Sequence, residues 1–196
     1  MTVHDLRGTA GIGPRTLAWP AGHRVVVSGL PGAGKSTLMA RLDDPDGAVI
    51  RVDSQDARDR WARRLPARLP YAVYRPLVRA AHHLRLARAA RTAGSLVVHD
   101  CGRRGWVRRR LAATARRRGV ALHLVLIDVP PDLAVARQEE RGRSVSARAF
   151  RRHRAAMAEL VADVAAGGPP PGCASATLLD AEAAAAIRLL CFTPDR

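Results

Sequence analysis

The run Gly29-Leu30-Pro31-Gly32-Ala33-Gly34-Lys35-Ser36-Thr37 is the segment with the clearest chemistry. Closely spaced glycines let a backbone curl so that several N–H groups face one anion. A lysine and a hydroxyl residue follow at once. This spacing is a complete Walker A motif, and it predicts a cradle for the phosphates of ATP or GTP. Gly29, Pro31, Gly32, Ala33, Gly34, Lys35, Ser36 and Thr37 form the expected nucleotide-binding set. Lys35 is expected to reach the β- and γ-phosphates, and the Ser36 hydroxyl to ligate Mg²⁺. The context agrees, with the apolar run Arg24-Val25-Val26-Val27-Ser28 before the loop and a helical pattern after it. Of 33 Lys and Arg residues, Lys35 is the one lysine.

Mg²⁺ also needs acidic oxygen. Asp100, after Leu96-Val97-Val98-His99, has the form of an apolar strand ending in a carboxylate. Asp128, after Leu124-Val125-Leu126-Ile127, has the same form and is its rival. An aspartate after a strand is also a common helix cap, so the pattern alone leaves both open. Arg137 and Arg141 lie four apart and share one face of a helix. Arginine forks of this kind can neutralise a transferring phosphoryl group. They can equally form a solvated face paired with Glu139 and Glu140.

Elements that position these groups follow from periodicity and breakers. Strands are predicted at 24–28, 48–52, 95–99, 120–129 and 176–179. Helices are predicted at about 34–42, after Asp53 and Ser54, at 77–93, 105–118, from Pro131 to about 141, at 146–164 and at 181–190. Residues 65–76 hold three prolines and both tyrosines, Tyr71 and Tyr74, and are expected to be irregular. Alternation of strand and helix predicts an α/β fold with a five-stranded parallel sheet and helices on both faces. Ligand loops then gather at the carboxyl ends of the strands. The Walker loop, Asp53–Arg58, Asp100 and Asp128 all follow strands. Residues 1–22 read as a lead-in, either loose or capping the sheet, and residues 23–196 as a single domain.

Composition excludes some classes. The chain is 47% hydrophobic but only 4% aromatic, so Val, Leu and Ala must supply most of the core. No apolar run is long enough to span a membrane. Cys101, Cys173 and Cys191 are far apart and odd in number, which argues against a disulfide framework and for a reducing cytoplasm. The formal charge of +16 brings nucleic acid into consideration. The near-absence of lysine, with abundant Ala, Gly and Pro, points instead to a coding bias toward arginine, with most arginines on solvated helix faces.

The chain resembles small P-loop kinases of the polynucleotide kinase, zeta-toxin and gluconate/chloramphenicol phosphotransferase group. GLPGAGKST, VIRVDSQDAR, LVVHDCGRRGWVRRRLAATARRRG and LIDVPPDLAVARQEERGR carry the resemblance, over about 24–192. A narrower similarity, through LPYAVYRPLVRAAHHLRL, is to AAA-family ATP-binding sequences of high-GC bacteria. The resemblance implies a P-loop NTPase fold with an arginine lid at about 137–150. It implies ATP and Mg²⁺ as cofactors, with Asp100 as the metal-side acid beside Ser36. It makes Asp53 or Asp56 the base for an acceptor hydroxyl, with Arg58 nearby. It makes Arg137 and Arg141, and more weakly Arg143, lid arginines, with Arg137 also at the nucleotide. Three functions are therefore expected in order: phosphoryl transfer to a small molecule or nucleotide, a nucleic-acid 5′-end kinase, and a regulatory ATPase switch.

Overall fold

The computed structural model describes residues 2–66, 68–100, 105–140 and 146–194. Its centre is β3 (Arg24–Gly29), every residue of which is buried. Val25, Val26 and Val27 are apolar on both faces, as a strand covered on two sides requires. β5 (Leu96–Asp100) pairs with one edge of β3 and β6 (Leu122–Ile127) with the other, both parallel. β4 (Ile50–Val52) extends the sheet beyond β5. β7 (Ser175–Leu179) and then β1 (Thr2–Asp5) extend it beyond β6. The strand order is β1-β7-β6-β3-β5-β4.

Helices connect the strands. They are α1 (Lys35–Met39), α2 (Ser54–Arg64), α3 (Tyr71–Ala89), α4 (Gly105–Arg117), α5 (Pro131–Glu140), α6 (Ala147–Gly167) and α7 (Ala181–Ala186). Ser146 caps α6 by accepting from the Ala149 N–H. A second, two-stranded parallel sheet joins β2 (Thr16–Pro20) to β8 (Leu189–Thr193).

Three expectations need correction. The sheet has six strands, not five. The additional strand, β1, is short and polar and mostly exposed, so nothing apolar marks it. Residues 2–20 thus contribute to two sheets. The last predicted helix stops at Ala186, and Ile187 is extended. The chain then pairs with β2, a contact that no local pattern reveals. Finally, helix α3 begins at Tyr71 rather than Leu77 and carries Pro76 within it. Tyr74 is buried with Ala57 and Val78, flanked by Trp61, Leu65 and Leu69. Packing against α2 therefore outweighs the proline penalty. This small second cluster lies apart from the main core.

One buried charge anchors the central strand. Arg24 is 1% exposed at the start of β3. Its guanidinium donates to the carbonyls of Gly22 at 2.6 Å, Thr92 at 2.6 Å, and Gly94. It thereby ties the entry to β3 to the turn before β5. Replacing it with methionine keeps the volume and strands three carbonyls. We expect Arg24→Met to cost about 3 kcal/mol in denaturant-measured stability. A loss below about 0.5 kcal/mol would show that water satisfies these carbonyls instead.

Candidate nucleotide and phosphoryl-transfer site

The loop between β3 and α1 is shaped by two glycines in left-handed conformations, Gly32 (φ 89°) and Gly34 (φ 94°). Gly32 also has no room for a side chain. A Cβ there would lie 2.1 Å from the carbonyl oxygen of Ala134 on α5. Gln138, one turn further along α5, donates to the Pro31 carbonyl at 3.1 Å. The phosphate loop is therefore packed directly against α5, the helix that carries Arg137.

Lys35 is 3% exposed. Its ammonium donates to the carbonyls of Gly29 at 2.8 Å and Leu30 at 2.7 Å. Ser36 donates its hydroxyl hydrogen to Asp53 at 2.8 Å. Asp53 follows β4 and is itself buried. His99 Nδ1 approaches the other oxygen of Asp53 to 3.6 Å. Burial, and the nearby ammonium of Lys35, push the imidazole down to about 3. At neutral pH the ring is uncharged, so this is a contact with a neutral imidazole rather than an ion pair. Asp100, at the end of β5, faces the Ser28 hydroxyl at 3.5 Å and the Arg108 guanidinium at 3.6 Å.

The structure thus brings Lys35, Ser36, Asp53 and His99 together, with Asp100 following His99 at the end of β5. The partner of Ser36 is Asp53, a pairing that the sequence does not reveal. Asp56 points elsewhere. It is 3.8 Å from Arg85 on α3, and its side chain is 44% exposed. Arg58 is half-buried, further along α2. Asp128 is 3.0 Å from Arg7. Arg141 and Arg143 lie outside the described residues, as do the side chain of Tyr71 and residues 141–145 of the predicted lid. His83 lies against Trp106 in a tilted arrangement, with ring centroids 5.3 Å apart.

Arg137 lines a cleft of about 230 Å³ on the far side of the loop, with Gly34, Thr37, Ala181, Ala184 and Ala185. Its outer wall is α7. Asp180 caps this helix by accepting from the Ala183 N–H at 2.7 Å. Arg41, just past α1, donates to the carbonyls of Ala184 at 2.8 Å, Ala185 at 3.1 Å, and Ile187. Arg41 carries no motif, and the helical pattern that predicts α7 gives no sign of its place beside the loop. Small alanines leave a slot between Arg137 and the loop, suited to a flat heteroaromatic ring.

The oxygens near the loop suit a hard cation. Ser36, Asp53 and Asp100 offer one hydroxyl and two carboxylates, which is Mg²⁺ chemistry. Among the described residues, no cluster of three or more His, Cys, Asp or Glu could hold a metal alone. A cation shared with nucleotide phosphates needs no such cage. Among the described residues, no helix is long and apolar enough to cross a membrane.

The chain belongs to the AAA domain family, whose sequence profile matches residues 25–164. Its fold is that of the small P-loop kinases. A protein from Chloroflexus aurantiacus assigned as a kinase superimposes with a TM-score of 0.58 at 16% identity, covering 81% of this chain and 87% of its own. A gluconokinase from Sinorhizobium meliloti gives 0.49 at 18% identity, covering 85% and 92%. A component of the PezAT toxin–antitoxin system of Streptococcus pneumoniae gives 0.49 at 16% identity, covering 68% of this chain. The chain spans 57% of that last protein. No curated protein sequence matches the chain.

Two outcomes follow. Gly32→Ala must move α5 or the loop, and its φ disfavours any side chain. We expect it to weaken nucleotide binding at least 30-fold, an estimate of about 2 kcal/mol for strain and clash, read by calorimetric titration. The second concerns pH. The unfolded chain protonates His99 as pH falls through its ordinary 6.5, while the folded chain resists until about 3. Folded stability is therefore full above 6.5 and declines as pH falls through that window, by up to about 1.4 kcal/mol per unit. His99→Gln should flatten the decline between pH 7 and pH 5 in urea denaturation. An unchanged slope would mean that His99 protonates in the folded state.

Proposed function

We propose that this protein transfers the γ-phosphoryl group of ATP to a hydroxyl of a small molecule or nucleotide. The observation that carries the proposal is the Ser36–Asp53 hydrogen bond, which seats a buried carboxylate at the mouth of the phosphate loop. In this reading the β- and γ-phosphates lie on the loop N–H groups and Lys35. Arg137 covers the nucleoside end, and Arg141 closes from the lid. Ser36 and Asp100 would hold Mg²⁺, which would neutralise phosphate charge when bound.

Of the two base candidates, Asp53 is at the loop and Asp56 is turned toward Arg85. Asp53 therefore accepts the proton of the acceptor hydroxyl. The acceptor oxygen bonds to the γ-phosphorus, the bridging β–γ bond breaks, and its electron pair leaves on the nucleoside diphosphate. Arg58 stands beside the acceptor on α2. A second reading, a nucleic-acid 5′-end kinase with the same chemistry, has one observation in its favour. Arg109, Arg110, Arg116 and Arg117 are all exposed on α4, a basic surface that a polyanion could follow.

The test follows label from γ-labelled ATP with Mg²⁺. Parallel reactions contain a small-molecule extract, 5′-hydroxyl oligonucleotides, or buffer alone. We expect label on a small molecule, and loss of at least about 100-fold in rate with Lys35→Ala. Label on oligonucleotide would instead establish the second reading. Free phosphate alone in all three arms would replace transfer with a hydrolytic switch. Arg137→Ala should raise the KM for ATP about tenfold, as loss of one charged stacking or forked contact predicts. An unchanged KM would remove Arg137 from the nucleotide.

A further inference from the structure

Residues 5–8 lie outside the stretch that matches the family, yet they bond to Asp128 and Asp180, which lead into the two sides of the cleft beside Arg137. β1 runs parallel to β7, and its register ends with Asp5 beside Leu178. The chain then turns over the carboxyl ends of the neighbouring strands. Arg7 donates to Asp128, the first residue after β6, at 3.0 Å. Asp5 holds the same guanidinium from the other side, at 2.9 and 2.7 Å. The next residue, Gly8, donates its backbone N–H to Asp180, the first residue after β7, at 2.6 Å.

Asp128 and Asp180 each begin the approach to one wall of the cleft. From Asp128 the chain passes through Val129-Pro130 into α5 and Arg137. From Asp180 it enters α7, whose alanines form the opposite wall. The carboxylate of Asp180 is shared between Gly8 and the α7 cap, so the arm and the wall hold the same side chain. The two strand ends are also joined directly, since the Asp128 N–H donates to the Leu179 carbonyl. A displacement of residues 7–8 must therefore change the gap between Arg137 and α7. The displacement reaches the cleft through α7, whereas the phosphate loop is fastened to the opposite wall, α5, through Ala134 and Gln138.

We infer that Arg7 and Gly8 form a clamp that sets the width of the nucleoside-base cleft, making Arg7 a positioning residue for nucleotide affinity. The inference rests on the reading of that cleft as the base site. The clamp acts on the base and not on the phosphates. ATP and inorganic triphosphate, which lacks a base, therefore separate its effect from general destabilisation. The side chains of Arg7 and Asp128 are partly exposed, at 32% and 40%, so the pair is screened by salt and its effect is moderate.

The experiment titrates the full chain with ATP and with inorganic triphosphate, each with Mg²⁺, by calorimetry at low and at physiological salt. Wild type should bind ATP more tightly than triphosphate. Arg7→Ala should weaken ATP about fivefold, as expected for a partly screened charged contact, and leave triphosphate within twofold. Asp128→Asn removes the charge from the other end and should give the same selective loss. Raising the salt should weaken ATP relative to triphosphate in wild type and not in Arg7→Ala. Equal losses for both ligands, or no loss for either in a folded variant, would overturn the clamp. If wild type binds the two ligands equally, the base-cleft reading falls, and the clamp with it. A base contribution that Arg7→Ala leaves undiminished sinks the clamp alone.

Discussion

The buried ammonium of Lys35 is the charge around which the loop is organised. Taking it out of water is costly unless oxygen atoms replace the lost hydration. The carbonyls of Gly29 and Leu30 do this, and they can do so only because the loop folds back over α1. Burial, and then this same charge, suppress protonation of His99, which keeps a neutral ring beside Asp53. Asp53 in turn is held by Ser36, the residue after the lysine. Loop curvature, a neutral histidine and an ordered carboxylate are thus linked through one cation. The sheet supplies the geometry, since β3, β4 and β5 run parallel and deliver these groups to the same edge.

The second constraint is contact between the loop and α5. An oxygen of Ala134 occupies the space a side chain at position 32 would need. Gln138 then fastens the loop at Pro31. Few kinds of residue satisfy such a contact, which explains why the loop reads so plainly in the sequence while its surroundings do not. The phosphate end and the cleft lined by Arg137 share α5 as a common wall. Motion of that helix would be felt at both.

What was legible in the sequence depended on local physics. β3 and β5 are unbroken apolar runs, Pro131 opens α5, and Ser146 caps α6. Each signal lies within a few residues of the element it marks. Other features arise between distant segments. Thr2–Asp5 carries no apolar run and becomes a strand only because β7 offers an unpaired edge. Leu189 and Leu190 end an alanine-rich helical pattern, yet Leu189–Thr193 becomes a strand against Thr16–Pro20. Within the site, the order of strands decided that Ser36 meets Asp53, and no spacing along the chain encodes that order. Arg41 is the same kind of case, an arginine among many until α7 presents its carbonyls.

The pairing of β2 with β8 has a kinetic consequence. Thr16 lies opposite Leu189, so the segments that meet are almost the whole described chain apart. Closure over such a distance is entropically late, and parallel pairing of remote strands is intrinsically slow. β1 must likewise wait for β7. The wall α7 lies between β7 and β8 and is fixed only when both are in place. During synthesis the central strands and the phosphate loop can form while that wall does not yet exist. A ribosome-bound intermediate would then have the loop without the cleft that Arg137 lines. The last step of folding, rather than the formation of the core, would complete that cleft.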